Sequence, residues 1–156
     1  MQKVKLFLFI VLAAIFTATT GFAFMGHSFH AKLTSKEETK APESKASGKV
    51  EFKLSKDGTT LTYKLHVKNI MDASAAHIHM AKKGADGPPV VGLFSEAKKG
   101  KFSGVLAQGT ITDKDLIGPL QGKTVKDLVE LFKSGDAYVN VHTDANPDGE
   151  IRGQIK

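Results

Sequence analysis

Apolar and polar residues alternate with a period of two over most of this chain. Between Lys49 and Leu54, Val50, Phe52 and Leu54 alternate with Lys49, Glu51 and Lys53, and the rhythm returns at Leu61, Tyr63, Leu65 and Val67. Between the two runs stands Lys56-Asp57-Gly58, and Asp-Gly between alternating segments is a strong short-range hairpin cue. Further strands are expected at about 26–34, 73–80, 89–94, 101–111, 137–143 and 150–156, most of them bounded by glycine, proline or a polar loop. Alternation with one polar face predicts antiparallel sheet, wet on one side. Residues 35–48, SKEETKAPESKASG, read as a solvated loop.

One segment changes period. Val125, Leu128, Val129 and Phe132 recur at helical spacing, with Thr124 placed as the cap and Gly135 as the stop. The pattern as a whole predicts an all-β domain, an immunoglobulin-like antiparallel β-sandwich of about eight strands with one short helix over one end. Its core is expected to hold Phe52, Leu54, Leu65, Ile78, Val91, Val139, Val141 and Ile151, with Lys49, Lys53 and Lys64 exposed.

The N-terminus follows a different grammar. Lys3 and Lys5 precede an uncharged apolar run from Leu6 to Ile15, after which small residues lead to Gly21 and Ala23. This is the order of a secretory signal, and its apolar run is shorter than the ~20 residues that span a bilayer. Residues 1–23 are therefore expected to be a signal peptide and residues 24–156 one exported domain, secreted or periplasmic. An uncleaved membrane anchor is the competing reading of this segment. The remaining length of about 130 residues suits a single domain with its own core. The chain has no cysteine, which excludes disulfides and thiolate metal ligands.

Charge narrows the partners. Removing Lys3 and Lys5 takes the net charge from +6 to +4, and Arg152 is the sole arginine. Nucleic-acid readers favour arginine and interleaved aromatics, so no nucleic acid is expected. The expected partner is extracellular or periplasmic, with no stable membrane insertion once the signal is removed.

Candidate chemistry rests on histidine. His77 and His79 lie two apart on a strand and so leave the same face, while Ile78 takes the other. Val139 and Val141 as core residues put Tyr138, Asn140 and His142 outward. If the two strands are neighbours, His77, His79 and His142 form a three-imidazole cluster suited to copper or zinc. The competing reading is a solvated structural network in which Asp144, Asp148, Glu150 and Arg152 pair with these rings. His30 and His66 are expected as plain surface residues. No catalytic constellation is identified, because no Ser or Thr sits in a nucleophile-elbow context. The loop 144–150 is rich in oxygen ligands but lacks the spacing of an EF-hand.

Two stretches carry a resemblance. Ala76-His77-Ile78-His79 is followed by Gly84-Ala85-Asp86-Gly87-Pro88, and Ala137 to Thr143 continues through Asn146-Pro147-Asp148-Gly149-Glu150-Ile151-Arg152-Gly153-Gln154-Ile155. With the hairpin at 54–59, they resemble the CHRD domain, a module named from chordin and widespread in secreted microbial proteins. The resemblance runs over roughly residues 28–156. It implies an immunoglobulin-like sandwich in an extracytoplasmic setting and brings no agreed activity or catalytic residue. The chain departs from it at Glu38-Thr39-Lys40-Ala41-Pro42, where the family carries Glu-Val-Pro-Pro, and at Ala81, where it carries glycine.

Together these readings point to an exported, non-enzymatic binding or structural module. The alternative is an extracytoplasmic copper- or zinc-binding protein using the His-x-His pair and His142. A redox enzyme of superoxide-dismutase type stands third, by analogy with its His-x-His on a β-sandwich, since the chain lacks that enzyme's longer ligand set.

Overall fold

The computed structural model describes residues 27–156. The expected signal peptide and its cleavage site lie outside the described residues. Seven strands and one α-helix follow in order: β1 (Ser28–Thr34), β2 (Ser47–Leu54), β3 (Leu61–Met80), β4 (Pro89–Phe94), β5 (Lys98–Ile111), α1 (Val125–Ser134), β6 (Ala137–Thr143) and β7 (Ile151–Gln154).

All pairings are antiparallel, and five strands close on themselves. The order runs β2-β1-β7-β6-β3, and β2 pairs β3 again to complete a barrel. The seam between β1 and β7 is short, held by Thr34 opposite Arg152 and by the reciprocal bonds of His30 and Lys156, both 2.9 Å. Strands β4 and β5 lie outside the ring, each paired to β3. The all-β expectation holds. The two-sheet, immunoglobulin-like sandwich finds no support in this pairing, which gives one continuous sheet closed as a five-stranded barrel.

The difference has a local cause in β3. The runs 61–67 and 73–80, expected as two strands, are one strand of 20 residues. Its first half pairs β2 and β5, and its second half pairs β4 and β6. Between the halves, Asn69 and Asp72 take positive φ of 55° and 48°. Asn and Asp tolerate that region better than most residues. The register against β5 slips there, between Val67 and Ile70 and between Met71 and Ala73. Bulges bend a strand without ending it. The bend carries β3 around the barrel and brings the strand count to seven.

The local elements follow their residues. At the β2–β3 turn, Asp57 accepts from the Ser55 hydroxyl and the Thr59 N–H, and Gly58 has φ 73°. In α1, Thr124 and Asp127 form a reciprocal capping box, and Gly135 closes the helix at φ 73°. The helix buries Val125, Leu128, Val129 and Phe132. The Phe132 ring centre lies 5.3 Å from that of Phe29 and 5.1 Å from that of Phe52, so α1 is docked on β1 and β2 by aromatic contact. Burying one such ring contributes about 1.5–3 kcal/mol relative to exposure.

Of the expected core residues, all but Leu54 are fully buried, and Leu54 packs half-buried against the same cluster. Lys49, Lys53 and Lys64 are exposed. His30 is exposed as expected, and His66 is half-buried. Among the described residues no helix is long and apolar enough to cross a membrane.

Candidate metal centre

Alternation along two neighbouring strands builds the site. In the second half of β3, Ala76 and Ile78 are buried in the core, leaving His77 and His79 on the opposite face. In β6, Val139 and Val141 do the same and leave Tyr138, Asn140 and His142. The strands are hydrogen-bonded, with His77 opposite Asn140, Ala75 opposite His142 and His79 opposite Tyr138. His142 is therefore a diagonal neighbour of His77.

The structure brings the three histidines together. One ring nitrogen from each of His77, His79 and His142 lies within 4.8 Å of the other two. Three nitrogens at 2.0–2.1 Å from a tetrahedral zinc ion stand about 3.4 Å apart, so the rings would draw together to hold one.

Their hydrogens are assigned by their partners. His79 Nδ1 is 2.8 Å from the Gly87 carbonyl oxygen, and His142 Nδ1 is 2.9 Å from that of Pro147. A carbonyl only accepts, so each Nδ1 donates and each Nε2 is left with its lone pair. A backbone carbonyl on the far nitrogen is the usual outer support of a metal-binding imidazole. His77 Nδ1 lies 3.1 Å from His142 Nε2 and donates to it. His79 Nε2 is buried with no hydrogen-bond partner among the described residues.

Burial holds all three rings neutral. It pushes His77 down to about 4, helped by the neighbouring His142 and His79. Burial also lowers His79, against the bond to Gly87 that favours its charged form. It lowers His142 against the corresponding bond to Pro147. At neutral pH three unprotonated imidazoles therefore face one another, the state a metal requires of its ligands.

The solvated network expected around these rings is not what surrounds them. Tyr138, Asn140 and Arg152 are 3 %, 2 % and 1 % exposed, because the 81–88 loop and the segment after β1 cover this face. Arg152 stacks on Tyr138 at 3.4 Å, donates to Asp86 Oδ1 at 3.1 Å and reaches the Ala85 carbonyl at 2.6 Å. Tyr138 in turn stacks on His79, ring centres 5.0 Å apart and planes 14° apart. Glu150 takes Ser44, Thr143 and Asn146, while Asp144 pairs with Lys99 and Asp148 with Lys40. None of these four charged residues bonds a ring of the cluster. The 144–150 carboxylates are satisfied by protein groups.

The burial of two polar residues goes beyond what the pattern predicts. Asn140 faces His77 across the strands, and its Oδ1 has no partner among the described residues. Glu38, placed in a polar run read as solvated, is 8 % exposed with Oε1 unpartnered. Its carboxyl lies against Gly149, where an added Cβ would collide with Glu38 Oε1. Burial raises Glu38 to about 7, offset in part by Arg152 and reinforced by Asp86. The only sequence cue to Glu38 was its place at the glutamate of the family segment.

The sequence matches the CHRD domain over residues 29–155. No curated protein matches the chain.

Proposed function

The chain belongs to the CHRD-domain family, and from that premise we propose that it is an exported, non-enzymatic binding module holding one copper or zinc ion on His77, His79 and His142. One observation carries this reading: three neutral ring nitrogens lie within 4.8 Å of one another, two of them oriented by backbone carbonyls. Imidazole suits copper and zinc, and three protein ligands leave a fourth position for water or an outside ligand. In two of the rings a backbone carbonyl holds the Nδ1 hydrogen and leaves Nε2 unprotonated. His77 reaches the binding form by moving its hydrogen from Nδ1 to Nε2.

The unpartnered His79 Nε2 supports the same reading. A buried acceptor without a donor costs about 1–3 kcal/mol, and a cation at that point would supply its partner. Export rests on the N-terminal order of Lys3, Lys5, the Leu6–Ile15 run and the small residues up to Ala23. The partner or acceptor of the module lies in the same extracytoplasmic space.

Calorimetric titration of the chelator-treated protein with zinc, and separately with copper(II), tests the reading. One equivalent should bind, and His79→Ala should abolish the uptake while the protein stays folded. Absence of stoichiometric uptake of either metal would leave the rings as a structural tie between β3 and the β6–β7 hairpin.

A further inference from the structure

A cleft of about 450 Å³ opens beside His79, bordered also by Glu38, Asp86, Asn140, Asp148 and Gly149. Buried polar atoms are almost always paired. Besides His79, two side chains of the cleft wall, 8 % and 2 % exposed, each hold an oxygen buried with no partner among the described residues, Glu38 Oε1 and Asn140 Oδ1. The Asn140 oxygen accepts, and Glu38 accepts on both oxygens when it is ionised, so a bound hydrogen-bond donor would satisfy both.

The charges say which kind of donor. Asp86 is paired with Arg152 and Asp148 with Lys40. Glu38 has no cation at salt-bridge distance among the described residues, and the bare Cα of Gly149 lets its carboxyl lie flat in the cleft wall. A buried carboxylate without a partner is far costlier than a buried neutral acceptor, so a cation gains more here than an alcohol or water.

We propose that this cleft binds a small organic cation, a molecule whose primary ammonium group meets the Glu38 carboxylate and whose second N–H or O–H donor meets the Asn140 side-chain amide, the two side chains turning in the wall to bring their buried oxygens to it. The site needs no metal and uses neither His77 nor His142. It is thus additional to the copper or zinc reading. Burial keeps Glu38 partly protonated at neutral pH, and the arriving cation restores its charge. The strap from Glu38 to Pro42 forms the outer wall, closed by Thr39 on Asp86 and by Lys40 on Asp148.

The test uses the full chain stripped of metal, titrated with ethanolamine and followed by the NMR signals of the Asn140 side chain and the Gly149 amide. Ethylene glycol and acetate serve as neutral and anionic controls. Saturable shifts with ethanolamine alone are expected, weakened at least about tenfold in Glu38→Gln and strengthened in Asn140→Asp. An equal response to ethylene glycol, or unchanged affinity in Glu38→Gln, would overturn the ammonium assignment. Silence to tens of millimolar ethanolamine would overturn the site itself and leave its acceptors to water. Zinc uptake is read in a separate titration, so either proposal can fail alone.

Discussion

His77 Nδ1 stands 3.1 Å from His142 Nε2, across 65 positions of sequence. Because His142 has committed its own hydrogen to the Pro147 carbonyl, His77 must be the donor. A single hydrogen therefore occupies the place between the two rings where a cation would bridge them. The contact is made by strands that pair directly, so it depends on β3 continuing past its bend to meet β6.

The neutrality of the rings sets a pH dependence for metal uptake. An exposed trio of histidines with ordinary values near 6.5 loses affinity steeply below that pH, since each ligand must shed a proton. Here burial has already removed the protons, and His77 takes one up only at about 4. Zinc affinity should therefore persist to lower pH than that of such an exposed trio, because all three rings hold their protons less well than a free imidazole, and should be lost as pH approaches 4. Calorimetry at a series of pH values checks this, and a steep loss beginning at 6.5 would contradict it.

The carbonyl that orients His79 offers a test without touching a ligand. A Cβ on Gly87 would run into the Met80 carbonyl, so Gly87→Ala must displace the Gly87 oxygen that accepts from His79 Nδ1. Loss of such outer support lowers metal affinity about 10–100-fold. That drop is expected in zinc titrations of Gly87→Ala, with far-UV circular dichroism unchanged.

The β pattern was legible because alternation records which face is buried. It placed β1, β2, β4, the helix and β6 within two residues of where they lie, and it put His77, His79 and His142 on one face. It failed where alternation lapses. Asn69 and Asp72 break the period at the β3 bend, which reads in sequence as a gap between strands, and closure into a barrel follows from that bend. Alternation also says only that a residue leaves the core. It could not show that Tyr138, Asn140 and Arg152 would be covered by loops, or that Glu38 would be buried inside a polar run.

Core and surface positions on the same strands should separate cleanly. Ile78 is fully buried between His77 and His79, and Ile78→Ala should cost about 2–4 kcal/mol, on the scale of large-to-small core changes. Lys53 points to solvent from β2, and Lys53→Ala should cost less than about 0.5 kcal/mol. Urea unfolding of the metal-free proteins measures both. Comparable losses would mean that the faces are misassigned.

Export predicts a mature chain beginning within a few residues of Phe24. N-terminal sequencing of protein recovered outside the cytoplasm checks it. Intact Met1 in a membrane fraction would replace the signal peptide with an anchor.

Glu38 and the histidines should pull stability in opposite directions as pH changes. Stability rises with pH wherever the unfolded chain binds more protons than the folded one. His77 binds its proton at about 4 when folded and at 6.5 when unfolded. Its contribution is complete above 6.5 and lost as pH falls toward 4, and the lowered values of His79 and His142 act with the same sign. Glu38 is raised from 4.5 to about 7, so its contribution is complete below 4.5 and lost as pH rises through 7. In the metal-free protein the two effects oppose each other between 4.5 and 6.5, which flattens the profile. Glu38→Gln removes one side of the balance. Its stability relative to the parent should increase steadily from pH 4.5 to 7 and level off above, measured by urea unfolding in the presence of a chelator. A difference that stays constant over that range would show that Glu38 is ionised in the fold as readily as in water, and that its carboxyl is not the buried, unpartnered group the cleft presents.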